Sequence, residues 1–205
     1  MFKIDNGVLT IKESHDKIRI TLGSKSYTSS LFGTTTLPLP YGDGRYTFEL
    51  FDRISGNRYK CAYTKTVNVK NTSNYMLQPN TYVPVTDAWV FSQSLCEGLD
   101  EKTAFQTICK WIRNNIVYDY IRMVTVAKTG VLPDPDLCWR TRKGICQDIA
   151  SLAAGMMRAV SIKARLVCGQ ADKQTHAWVE ATVGDKNYRF DFPKKASTYV
   201  RERTY

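Results

Sequence analysis

The stretch from residue 144 to residue 192 constrains the fold most, because a helical period is followed directly by two strand periods. Apolar residues recur at i, i+3, i+4, i+7, i+8 and i+11, the spacing of a helix that buries one face: Ile149, Leu152, Ala153, Met156, Met157 and Val160. Residues 175–183 and 187–192 then alternate as strands do, and Gly184-Asp185 between them is a hairpin signal. The pattern predicts a buried helix followed by an antiparallel hairpin.

Three chemically reactive side chains fall on these elements. Cys146 begins the helix, His176 lies on the first strand, and Asp191 lies on the second. In a nucleophilic triad a thiolate attacks, an imidazole moves the proton and a carboxylate orients the imidazole. The unpaired N–H groups of a first helical turn favour a thiolate and can bind a developing oxyanion. We expect Gly144, just before the helix, to supply backbone angles that other residues avoid.

Strand parity selects the carboxylate that accompanies His176. With a two-residue turn, the residues on either side of the turn pair with each other, and Asp191 falls opposite Trp178. Trp178 and His176 share a face, so Asp191 is predicted to be a diagonal neighbour of His176, roughly 7–8 Å away between backbones. Glu180 is on the same face, but it lies roughly 13 Å along the strand from His176. Asp191 is therefore the predicted partner.

Five runs of sequence, in a fixed order, carry a resemblance to a known family. They are WIRNNIVYDY at residues 111–120, RKGICQDIA at 142–150, KARLV at 163–167, HAWVE at 176–180 and FD at 190–191. In these runs the chain resembles the transglutaminase-like superfamily, particularly its bacterial members, over about residues 100–193. Many members have proline directly after the aspartate, whereas this chain has Phe192-Pro193.

The resemblance implies a papain-like α+β core with Cys146, His176 and Asp191 as the catalytic triad. Known members of the family include transglutaminases, cysteine peptidases and other amide hydrolases, and some relatives lack activity. The implied reaction is acyl transfer from an amide of a protein or peptide substrate through a Cys146 thioester. Hydrolysis is favoured over cross-linking, because nothing in the sequence marks a site for an amine acceptor. The alternative is a non-catalytic binding or structural module that retains the fold.

Four aromatic residues are candidates for the substrate cleft or for completing the oxyanion hole. Trp139, Tyr118 and Tyr120 are close to Cys146 in sequence, and Trp178 shares the His176 strand. The segment 118–143 contains Gly130, Pro133 and Pro135 and shows no clear helical or strand period. A loop of that length in a compact domain is often functional, so we expect it to cross over the site.

The sequence as a whole predicts a chain of three parts. In residues 1–70, short alternating segments separated by turn signals indicate a small all-β sandwich of immunoglobulin-like type: 8–12, 17–22, 25–31, 46–51, 58–62 and 64–69. Residues 71–86 show no period and are interpreted as a linker. Residues 87–205 form the predicted catalytic domain, which begins with helices at 87–99 and 100–116, the latter with Asp100 as its N-cap. The tail 194–205 is basic and is expected at the surface.

The net charge of +10 raises the question of a nucleic-acid partner. Residues 1–70 carry 11 basic and 6 acidic side chains and the remainder 18 and 13, so the excess is spread along the chain. Diffuse charge supports solubility without specifying a partner, and we predict no nucleic-acid binding. No apolar run reaches the roughly 18 residues that indicate a membrane span. The first residues lack the pattern of a signal peptide, which favours a cytoplasmic protein, or an extracellular one if such a peptide has been removed.

Cysteine usage indicates neither a metal site nor a disulfide framework. The six cysteines form no C-x-x-C pair, and only two histidines accompany them. Cys109 and Cys168 fall among apolar residues at helical and strand spacing, which is typical of small core side chains. The triad itself supplies nucleophile, base and orienting group, so we predict no metal and no organic cofactor. The sequence leaves the oligomeric state open.

Overall fold

The chain divides into two compact units, Met1–Thr81 and Tyr82–Tyr205. The computed structural model describes residues 2–12, 14–126, 131–193 and 196–205. Strands form the regular structure of the first unit apart from one short 3-10 helix, whereas the second unit combines helices and strands. The predicted α+β class, with an all-β region ahead of the helical one, is confirmed.

The described residues of the first unit form seven strands in two antiparallel sheets: β1 (Phe2–Asp5), β2 (Val8–Ile11), β3 (Lys17–Leu22), β4 (Lys25–Ser30), β5 (Thr35–Pro38), β6 (Gly44–Ser55) and β7 (Arg58–Val69). One sheet has the order β1-β2-β5 and the other β4-β3-β6-β7. Alternate side chains of β6, namely Tyr46, Phe48 and Leu50, are fully buried, as a half-buried strand requires. β1 and β5 were not predicted, and the immunoglobulin-like type stays a prediction.

Residues 58–62 and 64–69, predicted as two strands, form the single strand β7. It pairs with β6 along nearly its whole length, and the register shifts where Leu50 faces Tyr63 and Phe51 faces Cys61. An extra residue in one strand of an antiparallel pair is a β-bulge, and it interrupts the alternation of side chains. The break in the sequence pattern therefore marks a bulge, and the prediction of two strands was wrong.

Part of the predicted linker has regular structure. Thr72–Leu77 form a 3-10 helix that belongs to the first unit. The Thr72 backbone N–H donates to Asp43 Oδ1 at 2.9 Å, and the Thr81 N–H donates to the Thr36 carbonyl at 3.1 Å. Residues 72–81 are thus tied to the sheets before them. The division of the chain at 71–86 stays a prediction.

The described residues of the second unit form five helices and six strands: α1 (Asp87–Leu95), α2 (Glu101–Asn115), β8 (Val117–Tyr118), α3 (Tyr120–Val126), α4 (Pro135–Thr141), β9 (Lys143–Gly144), α5 (Cys146–Ala159), β10 (Lys163–Ala171), β11 (Gln174–Val183), β12 (Lys186–Phe190) and β13 (Tyr199–Thr204). β8 and β9 form a small parallel pair, and the other four strands form an antiparallel sheet of order β12-β11-β10-β13.

The core of this unit lies between α5 and the four-stranded sheet. Five of the six apolar residues predicted for the buried face of α5 are buried, among them Ala153 and Met156 at zero exposure, whereas Val160, just after the helix, is partly buried. They pack in one cluster with Leu166 of β10 and Val179 of β11. The Asp100 side chain caps α2 by accepting from the N–H groups two and three residues ahead, as predicted. The predicted central helix is confirmed.

One prediction about irregular segments was wrong, and a second, that of a surface tail, was incomplete. The segment 118–143 contains helices α3 and α4. The second of these begins with the Asp134 side chain accepting from the Leu137 N–H and with Pro135 at its first position. Residues 127–130 of this segment lie outside the described residues. The tail is not merely a surface segment, because β13 completes the sheet beside β10 and Tyr205 is buried. Lys194 and Lys195 lie outside the described residues.

Candidate active site

Cys146 is the first residue of α5, directly after the small parallel pair of β8 and β9. Gly144 precedes it in β9, in an extended backbone conformation that any residue can adopt. The predicted reason for this glycine was wrong, since the constraint is space. A Cβ at Gly144 would lie 2.7 Å from Cys138 Sγ and 3.1 Å from Asp148 Cβ. Glycine therefore lets the chain pass close to α4 as it enters the helix.

Asp148 fixes the first turn of α5. Its side chain is 1% exposed, and its Oδ2 accepts from the Ile145 N–H at 3.2 Å and from Arg122 Nε at 2.9 Å. Its Oδ1 accepts from the Asp134 N–H at 2.8 Å. One carboxylate thus ties the residue before Cys146, helix α3 and the start of α4 to the same point. The position of Cys146 depends on this junction.

The hairpin of β11 and β12 brings His176 and Asp191 together. Val183 pairs with Lys186 and Val179 with Phe190, which is the predicted register. Asp191 follows Phe190 directly, and its Oδ1 lies 2.6 Å from His176 Nε2. The Cys146 side chain lies close enough to His176 to help raise the pKa of the imidazole. Since Nε2 faces Asp191, Nδ1 is the ring nitrogen left for the thiol.

Three further groups hold Asp191. Tyr199 of β13 donates its hydroxyl to Asp191 Oδ2 at 2.7 Å, and the Ala196 N–H donates to the same oxygen at 3.4 Å. The Arg113 guanidinium of α2 donates to the Asp191 backbone carbonyl at 3.1 Å. The side chain is 1% exposed, so every oxygen lone pair that is not satisfied by these groups would be costly.

The electrostatics of the pair favour an ionised carboxylate beside a protonated imidazole. Burial opposes the charge of His176, yet hydrogen bonds to Asp191 and Cys146 outweigh it and raise the pKa of His176 to about 9. Burial likewise opposes the charge of Asp191, but hydrogen bonds from His176 and Tyr199 lower the pKa of Asp191. At neutral pH both groups carry charge, which is the state that orients the imidazole toward the thiol.

Tyr118 lies next to the nucleophile. Its hydroxyl lies close enough to the backbone N–H and the side chain of Cys146 for both to affect the pKa of the phenol. β8 places it there, because the Asp119 N–H donates to the Gly144 carbonyl at 2.9 Å. Burial, followed by the nearness of Cys146, raises the pKa of Tyr118, so the hydroxyl keeps its proton near neutral pH. A protonated hydroxyl and a backbone N–H at one point are two donors for an oxyanion.

The other three aromatic candidates have different surroundings. Tyr120 is exposed and contacts the Tyr118 ring at 4.9 Å between centroids. Trp139 packs on Phe91 and Trp111, with centroids 5.0 and 5.2 Å away. Trp178 is fully buried beneath His176, with ring centroids 6.4 Å apart. It lines a small apolar pocket beside Cys146 together with Phe190 and Phe192.

Glu180, the other carboxylate on the His176 face, is engaged elsewhere. It accepts from Arg165 at 2.7 Å, from Arg201 at 2.6 Å and from Trp178 Nε1 at 3.3 Å. The ion cluster lies farther along the sheet from His176. The structure therefore brings Asp191, and not Glu180, to the imidazole.

Sequence reasoning missed Tyr199, Arg113 and the role of Asp148. Tyr199 stands in a tail whose residues 199–204 show no alternation of apolar and polar side chains, so no local signal marked it. Asp148 stands three residues after Ile145, at the spacing of a carboxylate that caps its own helix.

Within the described ranges, no group of three or more His, Cys, Asp or Glu side chains is arranged to hold a metal ion. None of the described helices has both the length and the apolar character of a membrane span.

The fold and the site define a class: an α+β domain in which a cysteine opens a buried helix and meets a histidine of the adjoining antiparallel sheet. Residues 91–192 match the family model of the transglutaminase-like superfamily, and this region of the chain belongs to that superfamily. The predicted family is confirmed.

Individual curated proteins are also similar to this chain in sequence, each over part of its length. A UPF0252 protein of Methanocaldococcus jannaschii is 29% identical over 122 residues, which cover 54% of this chain and 35% of the relative. An uncharacterized protein of Mycobacterium leprae is 26% identical over 122 residues, covering 53% and 42%. The chain thus spans less than half the length of these curated relatives.

Among solved structures, a candidate cysteine protease from Cytophaga hutchinsonii shares the fold with a TM-score of 0.51 at 18% identity. The match covers 93% of this chain and 68% of that one. Family and fold together support a cysteine-dependent hydrolase or acyl-transfer function in general terms.

Proposed function

We propose that residues 87–205 form a thiol-dependent acyl-transfer domain in which Cys146 is the nucleophile, His176 the acid-base group and Asp191 the orienting group. The observation that carries the proposal is the 2.6 Å contact between His176 Nε2 and the buried Asp191 Oδ1, with Cys146 at the start of α5 close enough to the imidazole to raise its pKa. A buried carboxylate that fixes one ring nitrogen leaves the other nitrogen aimed at the thiol, which is the arrangement that nucleophilic catalysis requires.

In the first half-reaction, the Cys146 sulfur attacks the carbonyl carbon of an amide and a C–S bond forms. The carbonyl oxygen becomes an oxyanion, which accepts hydrogen bonds from the Cys146 N–H and the Tyr118 hydroxyl. The C–N bond then breaks, and the amine leaves with the proton that His176 carries. The product on the protein is a Cys146 thioester.

In the second half-reaction, His176 takes a proton from water, and the resulting hydroxide attacks the thioester carbon. The C–S bond breaks and the acyl group leaves as a carboxylic acid. The Cys146 thiolate is then again beside a protonated His176, which is the starting state. Hydrolysis of a peptide bond or of a glutamine side chain is the proposed outcome. A lysine amine that replaced water would instead give a cross-link through the same thioester.

Alkylation with iodoacetamide tests the proposed pair, because the reagent needs a thiolate but no substrate recognition. Cys61 is an internal control, since it is a free and exposed thiol in the first unit. At about pH 6, where an ordinary thiol is almost entirely protonated, Cys146 should be labelled faster than Cys61 although it is less exposed. His176→Ala should slow Cys146 and leave Cys61 unchanged. Equal rates in the two proteins would overturn the pair and favour the non-catalytic alternative.

A turnover experiment then separates the outcomes. The protein is incubated with an unfolded protein substrate and with a glutamine peptide, each with and without an added primary amine, and the products are identified by mass spectrometry. New amino termini indicate a peptidase, conversion of glutamine to glutamate indicates an amidase, and amine incorporation indicates a transferase. Cys146→Ala provides the blank for all three. Amine incorporation in preference to hydrolysis would contradict the proposed acceptor.

A further inference from the structure

Asp191 has two carboxylate oxygens, and each meets a different partner. Oδ1 lies 2.6 Å from His176 Nε2, whereas Oδ2 accepts from the Tyr199 hydroxyl at 2.7 Å. The hairpin alone accounts for the first contact. The second contact comes from β13, a strand that lies beyond the family match at residues 91–192. A residue outside the matched region therefore completes the surroundings of the orienting carboxylate.

The hydrogen bonds of Tyr199 fix the direction of its O–H. The Ala196 N–H donates to the Tyr199 oxygen at 2.9 Å, so the hydroxyl accepts one bond there. Its single proton is then directed at Asp191 Oδ2. Burial, together with the hydrogen bond to Asp191, raises the pKa of Tyr199 to about 12. The hydroxyl remains a donor throughout the range in which His176 and Asp191 change charge.

The Tyr199 ring is held on two sides. The edge of Trp178 contacts it at 5.0 Å between centroids in a T-shaped arrangement. The Arg189 guanidinium lies over the ring, 3.8 Å from its centroid. Tyr199 also pairs with Ala171 in the register of β13 with β10. Aromatic and cation–π contacts with this geometry restrict the ring, so the hydroxyl cannot swing away from Asp191 without breaking them.

We infer that Tyr199 is a positioning residue of the candidate active site: its hydroxyl holds the outer oxygen of Asp191 so that the other oxygen faces His176. The inference rests on the proposed function of the Cys146, His176 and Asp191 triad. Without the hydroxyl, the bonds from described residues to Oδ2 are reduced to the long one from the Ala196 N–H. A buried carboxylate that loses a donor binds a proton more readily, which weakens its hold on the imidazolium at acid pH. A carboxylate that is free to turn also no longer keeps its other oxygen on the imidazole at higher pH, where Asp191 is ionised.

The test uses Tyr199→Phe, which keeps the ring and its contacts and removes only the hydroxyl. Tyr188→Phe is the matched control, because Tyr188 lies on β12 and its ring packs on Phe105, 5.3 Å away, on the other face of the sheet. The rate of Cys146 alkylation is measured from about pH 4 to about pH 8. A hydrogen bond to a charged group is worth at least about one pKa unit. The acid limb of Tyr199→Phe should therefore move up by about one pH unit, whereas that of Tyr188→Phe should stay in place.

A second readout needs neither a substrate nor a reactive thiol. The chain has two histidines, His15 and His176, so the titration of each imidazole can be followed by NMR. In a Cys146→Ala background, Tyr199→Phe should lower the midpoint of His176 and leave that of His15 unchanged. Adding Tyr199→Phe to Asp191→Asn should produce no further shift, because the partner of the hydroxyl is already neutral.

The outcomes separate the inference from the proposed function. If the wild-type chain hydrolyses no amide but Tyr199→Phe shifts the two pH profiles, the proposed function fails and the positioning role stands. If Tyr199→Phe lowers the urea midpoint and leaves both profiles unchanged, the hydroxyl is only structural and the inference is overturned. Profiles that shift equally in Tyr188→Phe would overturn it as well.

Discussion

Asp148 and Asp191 are two buried carboxylates of the candidate active site, and they have different partners. Asp148 is held by the Arg122 guanidinium and by the backbone N–H groups of Ile145 and Asp134. Asp191 is held by the imidazole of His176 and the hydroxyl of Tyr199. Both side chains are 1% exposed. The two sites are alike in burial and differ in whether their donors can exchange a proton.

This difference assigns the two carboxylates to different tasks. A guanidinium stays charged at every pH that a folded protein experiences, so the Arg122–Asp148 pair can hold a junction but cannot move a proton. An imidazole titrates near neutrality, and its environment sets the pH at which it does so. A structural carboxylate and an orienting carboxylate can therefore be distinguished by the donor opposite them, even where burial is the same.

The largest expected effect is on turnover in Asp191→Asn. The amide leaves His176 without a negative partner and favours the wrong tautomer, so turnover should fall by about 10³–10⁴ while the fold is retained. Glu180→Gln is the control, because it neutralises the other carboxylate on the His176 face without touching the imidazole. Equal loss of activity in the two variants would show that Asp191 has no special orienting role. The same would follow if Asp191→Asn unfolded the chain while its folded fraction kept full turnover.

The complementary change is Asp148→Asn. It leaves Arg122 beside a neutral group in a buried junction, and breaking such a pair typically costs about 3 kcal/mol of unfolding free energy. The urea midpoint should fall with little change in the pH profile of Cys146 alkylation. Asp136→Asn is the control, because Asp136 is an exposed residue of α4. An unchanged midpoint in Asp148→Asn would show that the junction does not depend on the charge pair.

The two carboxylates also show how far sequence reasoning reaches. Asp191 could be predicted because the turn at Gly184-Asp185 fixes the register of a hairpin, and register fixes which side chains share a face. Tyr199 could not, because nothing local says that a tail strand pairs with β10. The helix α5 was predictable for the same reason as the hairpin: its period is a local property that burial of one face requires.

Asp148 was missed for a related reason. Its partner Arg122 is 26 residues away, across a segment whose short helices carry no clear period. Gly144 illustrates the opposite error. The sequence indicated that a glycine matters at this position, but the physical reason predicted for it was wrong. The backbone there is extended, and the constraint is the Cys138 sulfur that a Cβ would meet. Local patterns identify elements, whereas the contacts between distant segments decide why a particular residue is required.

Tyr118 is associated both with the Asp148 junction and with the Cys146 nucleophile. β8 places it, and the Asp148 junction holds the segments around it, yet its hydroxyl contacts Cys146. Removing one oxyanion donor typically lowers kcat by a factor of about 10². Tyr118→Phe should therefore reduce kcat with little change in KM or in the urea midpoint. Tyr120→Phe is the control, because its exposed ring contacts Tyr118 but not the thiol. A fall in the midpoint without a fall in kcat would assign Tyr118 to the structural side.

The smallest expected effect is the pH dependence of stability, and it distinguishes the two carboxylates most directly. The pKa of His176 is raised from 6.5 to about 9 in the folded chain, so the imidazolium stabilises the native state fully below about pH 6.5. That contribution is lost as pH rises through about 9. The Arg122–Asp148 pair is expected to contribute no such slope, because a guanidinium stays charged throughout this window.

Urea denaturation of the wild type and of His176→Gln, at several pH values between about 6.5 and 9, measures this slope. The free energy of unfolding should fall with pH by about 2 kcal/mol more in the wild type than in the variant, because a shift from 6.5 to about 9 at about 1.4 kcal/mol per pKa unit gives about 3 kcal/mol and partial exposure reduces it. Asp148→Asn should keep the wild-type slope at a lower overall stability. If His176→Gln and the wild type have parallel profiles, the imidazole does not carry the charge assigned to it. The two carboxylates would then differ in position and not in chemistry.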